Sequence, residues 1–109
     1  MERELKLYMD FGSQPSRAVY CFLEINKIPF TVKEILIMQG QHRDPEYRKV
    51  NPNMKVPSIE IKDFKLFESH AILRYIADEY GTADHWYPKD PRKRAYINQI
   101  LDWHHQNLR

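Results

Sequence analysis

The chain has 109 residues, 42% of them apolar, which suits one domain with a core of its own rather than two. Charged residues of both signs make up 29%, which argues against disorder, and the formal net charge of +2 is too small to point to nucleic acid or an anionic membrane. The single cysteine, Cys21, excludes a disulfide framework within the chain and suits a reducing compartment. The first residues alternate in charge with no long apolar stretch behind them, so no signal peptide is expected. Ile35 to Met38 is the longest apolar run, far too short to cross a bilayer. A soluble, cytoplasmic protein is expected.

Leu5, Leu7 and Met9 alternate with Lys6 and Tyr8, the period of a strand. Phe11 to Pro15 reads as a turn, with Pro15 placed in the first turn of a helix, where its missing N–H costs nothing. Ala18, Val19, Phe22 and Leu23 make that helix's apolar face, and Asn26 to Pro29 ends it. Phe30 to Ile35 reads as a second strand, reached by a helical crossover. Gln39-Gly40-Gln41 breaks the chain, and Asp44 to Val50 offers one or two helical turns in a segment expected to be mobile. A loop with two prolines, 51–57, precedes a hairpin made of Ser58 to Lys62 and Phe64 to Phe67. Glu68-Ser69 opens the next helix, with Ile72, Tyr75 and Ile76 on one face and Gly81 as its stop. A linker, 82–90, leads to a last helical run from Arg92 to Leu108. The order β-α-β, loop, β-β-α is a thioredoxin-like α/β plan with a four-stranded mixed sheet and helices on its faces.

Three places in that plan invite chemistry. Ser13, between the first strand and the first helix, either caps its own helix or donates a hydrogen bond to a ligand thiolate, which lowers the thiol pKa. Val56-Pro57 on its own is an ordinary trans proline opening a strand. Its place in this order favours a cis peptide, with the Val56 backbone presented to a peptide ligand as an added strand would be. Glu68-Ser69 either caps its helix or receives an amino-acid head group, the carboxylate at the helix start and the ammonium at Glu68. Cys21 lies well inside a helix with no second cysteine, so it reads as a buried inert thiol and a dithiol redox role is unsupported. His104-His105 points to different sides of a helix and completes no metal site. Arg92-Lys93-Arg94 reads as a solvated basic helix start.

Taken together, four stretches resemble the theta class of glutathione S-transferases: Ser13 to Tyr20, Gly40-Gln41-His42, Asn51-Pro52 with Lys55-Val56-Pro57, and Glu68-Ser69 with Ala71-Ile72-Leu73-Tyr75. Trp86-Tyr87-Pro88 agrees. Each motif alone is weak; their order and spacing are specific. The resemblance implies a detoxification transferase that binds reduced glutathione and conjugates it to small electrophiles, with glutathione as co-substrate and no bound cofactor or metal. It implies that Ser13 meets the sulfur and that Gln14 lines the same cleft. It implies that His42 and Lys55 serve the glycine end, the backbone at Val56-Pro57 the cysteinyl part, and Glu68 and Ser69 the γ-glutamyl head, with Arg43 a further glutathione-binding residue. Arg43 stands where relatives often carry lysine and keeps the charge with a different reach. Arg109 matches an electrophile-site arginine. The resemblance divides the chain into a glutathione-binding domain, 1–81, the linker 82–90, and the first helix, 91–109, of an all-α domain whose remainder is missing. That helix is expected to expose an apolar stripe. A homodimer is implied for the full-length protein. The rival expectation is a glutathione-binding or protein-interaction module without turnover, and a thiol redox protein of the same fold is a third.

Overall fold

The structure is a computed structural model and describes residues 4–107. Its elements are β1 (Leu5–Met9), α1 (Gln14–Ile25), β2 (Thr31–Glu34), α2 (Pro45–Val50), β3 (Ser58–Ile61), β4 (Phe64–Phe67), α3 (Ser69–Glu79) and α4 (Pro91–Asn107). Short 3₁₀ turns lie at Ile37–Gln39, Gln41–Arg43 and Asp84–Trp86. The chain forms two compact units, one up to Leu73 and one from Arg74 on.

In the first unit the strands form one sheet in the order β2-β1-β3-β4. β1 runs parallel to β2 and antiparallel to β3, which is antiparallel to β4. The alternation in β1 decides which face is dry. Leu5, Leu7 and Met9 are fully buried, and the register sets Leu7 opposite Ile59 and Leu5 opposite Ile61, so the apolar side chains line one face. Val19 and Leu23 from α1, Ile28 and Ile72 complete this core. Full burial of a side chain of this size contributes about 1.5–3 kcal/mol. The opposite face carries Tyr8 and Glu60, joined by a 2.8 Å hydrogen bond from the tyrosine hydroxyl. Burial first, then the bond to Glu60 and its charge, push the Tyr8 phenol up to about 12. Tyr47 of α2 stacks at a tilt near Tyr8, with ring centroids 5.6 Å apart.

One detail of α1 departs from the expected pattern, and its end agrees with it. Its buried face is Ser16, Val19 and Leu23, while Ala18 and Cys21 are exposed. Cys21 is therefore a surface thiol, because it sits two residues from both Val19 and Leu23 and so about 200° around the helix from each. The helix also stops before Pro29. Lys27 takes a left-handed conformation (φ 56°), and the Ile28 N–H returns to the Leu23 carbonyl at 3.0 Å, closing the last turn without a glycine.

In the second unit Arg94 is the centre of the bonding. Its guanidinium pairs with Asp78 at 2.8 Å, donates to the Pro88 carbonyl at 2.8 Å and lies 3.9 Å over the Tyr87 ring. Only Arg92 and Lys93 of the basic run stand in solvent; Arg94 is half-buried. Arg74 pairs with Asp102 at 3.0 Å. These two ion pairs tie the second half of α3 to the residues that follow, which is why the units divide inside α3, whereas composition draws the line at the 82–90 linker. On α4, Tyr96, Ile100 and Trp103 are spaced i, i+4, i+7 and are 71%, 61% and 50% exposed, an apolar stripe facing outward.

Candidate functional site

The strand register collects the candidate residues at one end of the sheet. Met9 pairs with Glu34, Tyr8 with Ser58, and Ser58 with Phe67. The chain therefore leaves β1, β2 and β4, and enters β3, at the same end. Four segments stand there: the Ser13 turn after β1, residues 35–43 after β2, Lys55-Val56-Pro57 before β3, and Glu68-Ser69 after β4. Ligands of open α/β sheets bind outside the carboxyl ends of the strands, at such a point. Every predicted site residue except Arg109 belongs to these segments. Arg109 lies outside the described residues.

Ser13 is the N-cap of α1, in extended geometry. Its N–H donates to the Asp10 carbonyl at 2.9 Å, its carbonyl accepts from Arg17 N–H at 3.0 Å, and its Oγ accepts from Ser16 N–H at 3.3 Å. The cap and the thiolate donor, alternatives in the sequence, are chemically compatible. Capping uses a lone pair of the hydroxyl and leaves its proton to be donated. The turn is held further by Asp10, whose Oδ1 accepts from Gly12 N–H at 2.9 Å, and by Arg17, whose Nη1 donates to the Phe11 carbonyl at 2.7 Å. Gln14 follows as the exposed first residue of α1. Ser16, not singled out in the sequence, is fully buried with an Oγ that has no hydrogen-bond partner among the described residues.

The second segment bends at Gly40, which has φ 74° between the two 3₁₀ turns, a conformation that penalises any side chain. His42 is half-buried with an Nδ1 that has no hydrogen-bond partner among the described residues, and Arg43 is exposed.

The third segment rests on two residues to which the sequence gives no site role, Tyr47 and Asn51. Tyr47 is 3% exposed and Asn51 fully buried. Both donate to the Lys55 carbonyl, Tyr47 through its hydroxyl and Asn51 through Nδ2 at 3.0 Å. The Tyr47 hydroxyl has thus spent its proton, so Ser58, 2.8 Å away, is the donor to it. Asn51 Oδ1 accepts from Asn53 N–H at 2.9 Å. Asn51-Pro52 enters the sequence pattern only as part of a motif, and an Asn-Pro loop start behind an aromatic residue carries no local sign of an anchor. Lys55 is exposed and Val56 half-buried, and the Val56–Pro57 peptide is cis.

At the fourth segment the cap falls one residue earlier than expected. α3 begins at Ser69, so Glu68 is the flanking residue, with its carbonyl accepting from Ile72 N–H at 2.9 Å. Glu68 has φ 77°, and this left-handed turn is what takes it out of the helix and leaves Ser69 as the first helical residue. Glu68 is exposed, while Ser69 is 2% exposed. A groove of about 630 Å³ also exists on this unit, lined by Tyr8, Glu34, Tyr47, Glu60 and Lys65 among others. None of the candidate residues lines it. Among the described residues no three His, Cys, Asp or Glu side chains are grouped to hold a metal ion, and no helix is long and apolar enough to cross a membrane.

A mixed four-stranded sheet with a β-α-β half, a β-β-α half and a cis proline opening the third strand defines a thioredoxin-like domain. The sequence matches the family described as Glutathione S-transferase, N-terminal domain, over residues 3–78. The chain belongs to the glutathione S-transferase family and aligns with its theta class. Glutathione S-transferase T1 of Arabidopsis thaliana is 50% identical, matching 97% of this chain and 44% of its own length. Glutathione S-transferase theta-2 of Mus musculus is 47% identical, matching 96% of this chain and 43% of its own length. Human glutathione transferase theta-2, solved in complex with glutathione, superposes with a TM-score of 0.94 at 43% identity, over 96% of this chain and 43% of that one. This chain spans less than half the length of these relatives.

Proposed function

We propose that this chain is the glutathione-binding part of a theta-like transferase, in which Ser13 stabilises the glutathione thiolate. The support is the convergence of four segments at one sheet end, with a Ser13 hydroxyl whose cap bond leaves the proton free. In this reading the thiol gives up its proton to water, and the sulfur, held by the Ser13 O–H, attacks an electrophilic carbon. A C–S bond forms as a halide or sulfate leaves, or as an activated double bond takes the sulfur at one carbon and a proton from water at the other. The positioned thiolate is the nucleophile, so glutathione is co-substrate and no further cofactor enters. Gln14 lines the thiol end, His42, Arg43 and Lys55 meet the glycine end, the Val56-Pro57 backbone meets the cysteinyl part, and Glu68 with Ser69 holds the γ-glutamyl head. Arg109 belongs to the electrophile side. A detoxifying role in the cytoplasm and a homodimer of the full-length protein go with this reading.

The test is Ser13→Ala, measured by calorimetric titration with glutathione and by the ultraviolet absorbance of the bound thiolate against pH. Binding should be retained within a few-fold while the thiol pKa of the bound peptide rises. An unchanged thiolate titration sinks the role of Ser13. Binding to glutathione with no conjugation of any electrophile in a panel identifies a binding module without turnover. Absence of glutathione binding in the unmutated chain overturns both readings.

A further inference from the structure

Asp10 makes two side-chain bonds that reach different parts of the site. Its Oδ1 accepts from Gly12 N–H at 2.9 Å, an ordinary local turn. Its Oδ2 accepts from Ile37 N–H at 3.0 Å, and Ile37 is 27 positions further along the chain. A local turn accounts for the first bond and not for the second. The parallel pairing of β1 and β2 ends with Ile35 N–H on the Met9 carbonyl at 2.8 Å. Beyond that point the main chains part, and the carboxylate replaces the missing carbonyl as acceptor.

Both ends of this link are stiff. On one side the Asp10 carbonyl accepts the Ser13 N–H, and Arg17 grips the Phe11 carbonyl. On the other, Leu36 and Gln41 bond each other twice: Leu36 N–H to Gln41 Oε1 at 2.8 Å, and Gln41 N–H to the Leu36 carbonyl at 3.1 Å. Gly40 N–H returns to the Ile37 carbonyl at 2.9 Å, and Arg43 N–H to the Gly40 carbonyl at 3.0 Å. A shift at Ile37 is therefore transmitted to His42 and Arg43.

We propose that Asp10 is a positioning residue that couples the Ser13 turn to the segment carrying His42 and Arg43, setting the spacing between the thiol end and the glycine end of bound glutathione. The proposal rests on the glutathione reading above. An ionised carboxylate suits the task because both its oxygens accept; an asparagine offers one acceptor and turns an NH₂ toward the other N–H. The two main-chain bonds hold the Asp10 carboxyl below the usual carboxylate range, so it is charged at neutral pH.

Two substitutions cut the link. Asp10→Asn removes one acceptor. Ile37→Pro removes only the distant donor, at the first position of a 3₁₀ turn where proline is accommodated and after a Leu36 already in extended geometry (ψ 101°). The probes are glutathione and γ-glutamylcysteine, which lacks the glycine, titrated calorimetrically into the native chain and both variants. Glutathione affinity should fall about fivefold to tenfold, the scale of one charge-assisted hydrogen bond, while γ-glutamylcysteine changes less than about twofold. Equal weakening of both ligands, or of neither, overturns the proposal. Amide exchange reads the link without any ligand. In the native chain the Gly12 and Ile37 amides should be protected, and in Asp10→Asn the Ile37 amide should exchange at least about tenfold faster while Leu7 keeps its protection. An Ile37 amide that is unprotected in the native chain also overturns the proposal. If the native chain binds neither ligand, the glutathione reading fails, and the link is judged on amide exchange alone.

Discussion

The Ser13 turn and the 51–57 loop both present backbone to the same end of the sheet, yet they are held in opposite ways. Around Ser13 the holding groups are charged and open to water: the Asp10 carboxylate on two N–H groups and the Arg17 guanidinium on the Phe11 carbonyl. Under the 51–57 loop they are neutral and buried: the Tyr47 phenol and the Asn51 amide on one carbonyl, that of Lys55. Charged groups near the surface give adjustable bonds that respond to pH and salt. Buried neutral groups give bonds that ignore both and cost more to break, because the partner left behind has no water to turn to. The Ser13 turn is thus held by electrostatics, and the 51–57 loop is held by burial.

The contrast predicts an order of effects. Asn51→Ala should be the most damaging, losing about 2–3 kcal/mol, since it removes two bonds from a fully buried side chain. Urea unfolding followed by circular dichroism measures it, and a loss under about 1 kcal/mol would erase the distinction between loop and turn. Tyr47→Phe should follow at about 1–2 kcal/mol, because Asn51 still serves the Lys55 carbonyl. A third prediction concerns pH. The folded-state pKa of Asp10 lies below its ordinary value, so its contribution is complete above that value and lost as pH falls through it toward the lower native one. Asp10→Asn should therefore flatten the acid limb of the stability profile. Tyr8 works at the other extreme. Its pKa is raised from 10.0 to about 12, so its contribution is complete below the former and lost as pH rises through the latter. Tyr8→Phe should change the alkaline limb alone, and an altered acid limb in that variant would contradict the assignment. Smallest of all is Ser16→Ala, expected to be neutral or stabilising by up to about 1 kcal/mol, because the hydroxyl removed has no partner to lose among the described residues. A marked loss there would reveal a partner for Ser16 and sharpen the account of how the Ser13 cap is held.

Much of this was legible in the chain itself. The alternation of Leu5, Leu7 and Met9, the turn and proline ahead of α1, the Lys62-Asp63 hairpin and the place of Val56-Pro57 are local signals, and each agrees with the structure. Local signals also found Ser13, since a serine before Pro15 and an apolar helical run is a cap by pattern alone. The pattern misplaced what depends on orientation about a helix axis. Cys21 was assigned to the interior on residue type, but only the packing of Val19 and Leu23 fixes which way the intervening residues face. The cap of α3 is expected at Ser69 and falls at Glu68, because a positive φ in a non-glycine residue has no local signature.

The sequence by itself determined the order of the elements, the apolar side of the sheet and the identity of the residues at its end, because periods of two and of 3.6 are written within single segments. Tertiary structure alone decided how those residues are held. The bond from Asp10 to Ile37 exists because the β1–β2 register brings together two chains that part just beyond Met9 and Ile35. The double bond to Lys55 exists because α2 lies across the sheet face at Tyr8 and Ser58. Hydrogen bonds between distant segments follow register and packing, and neither is contained in any one stretch of sequence.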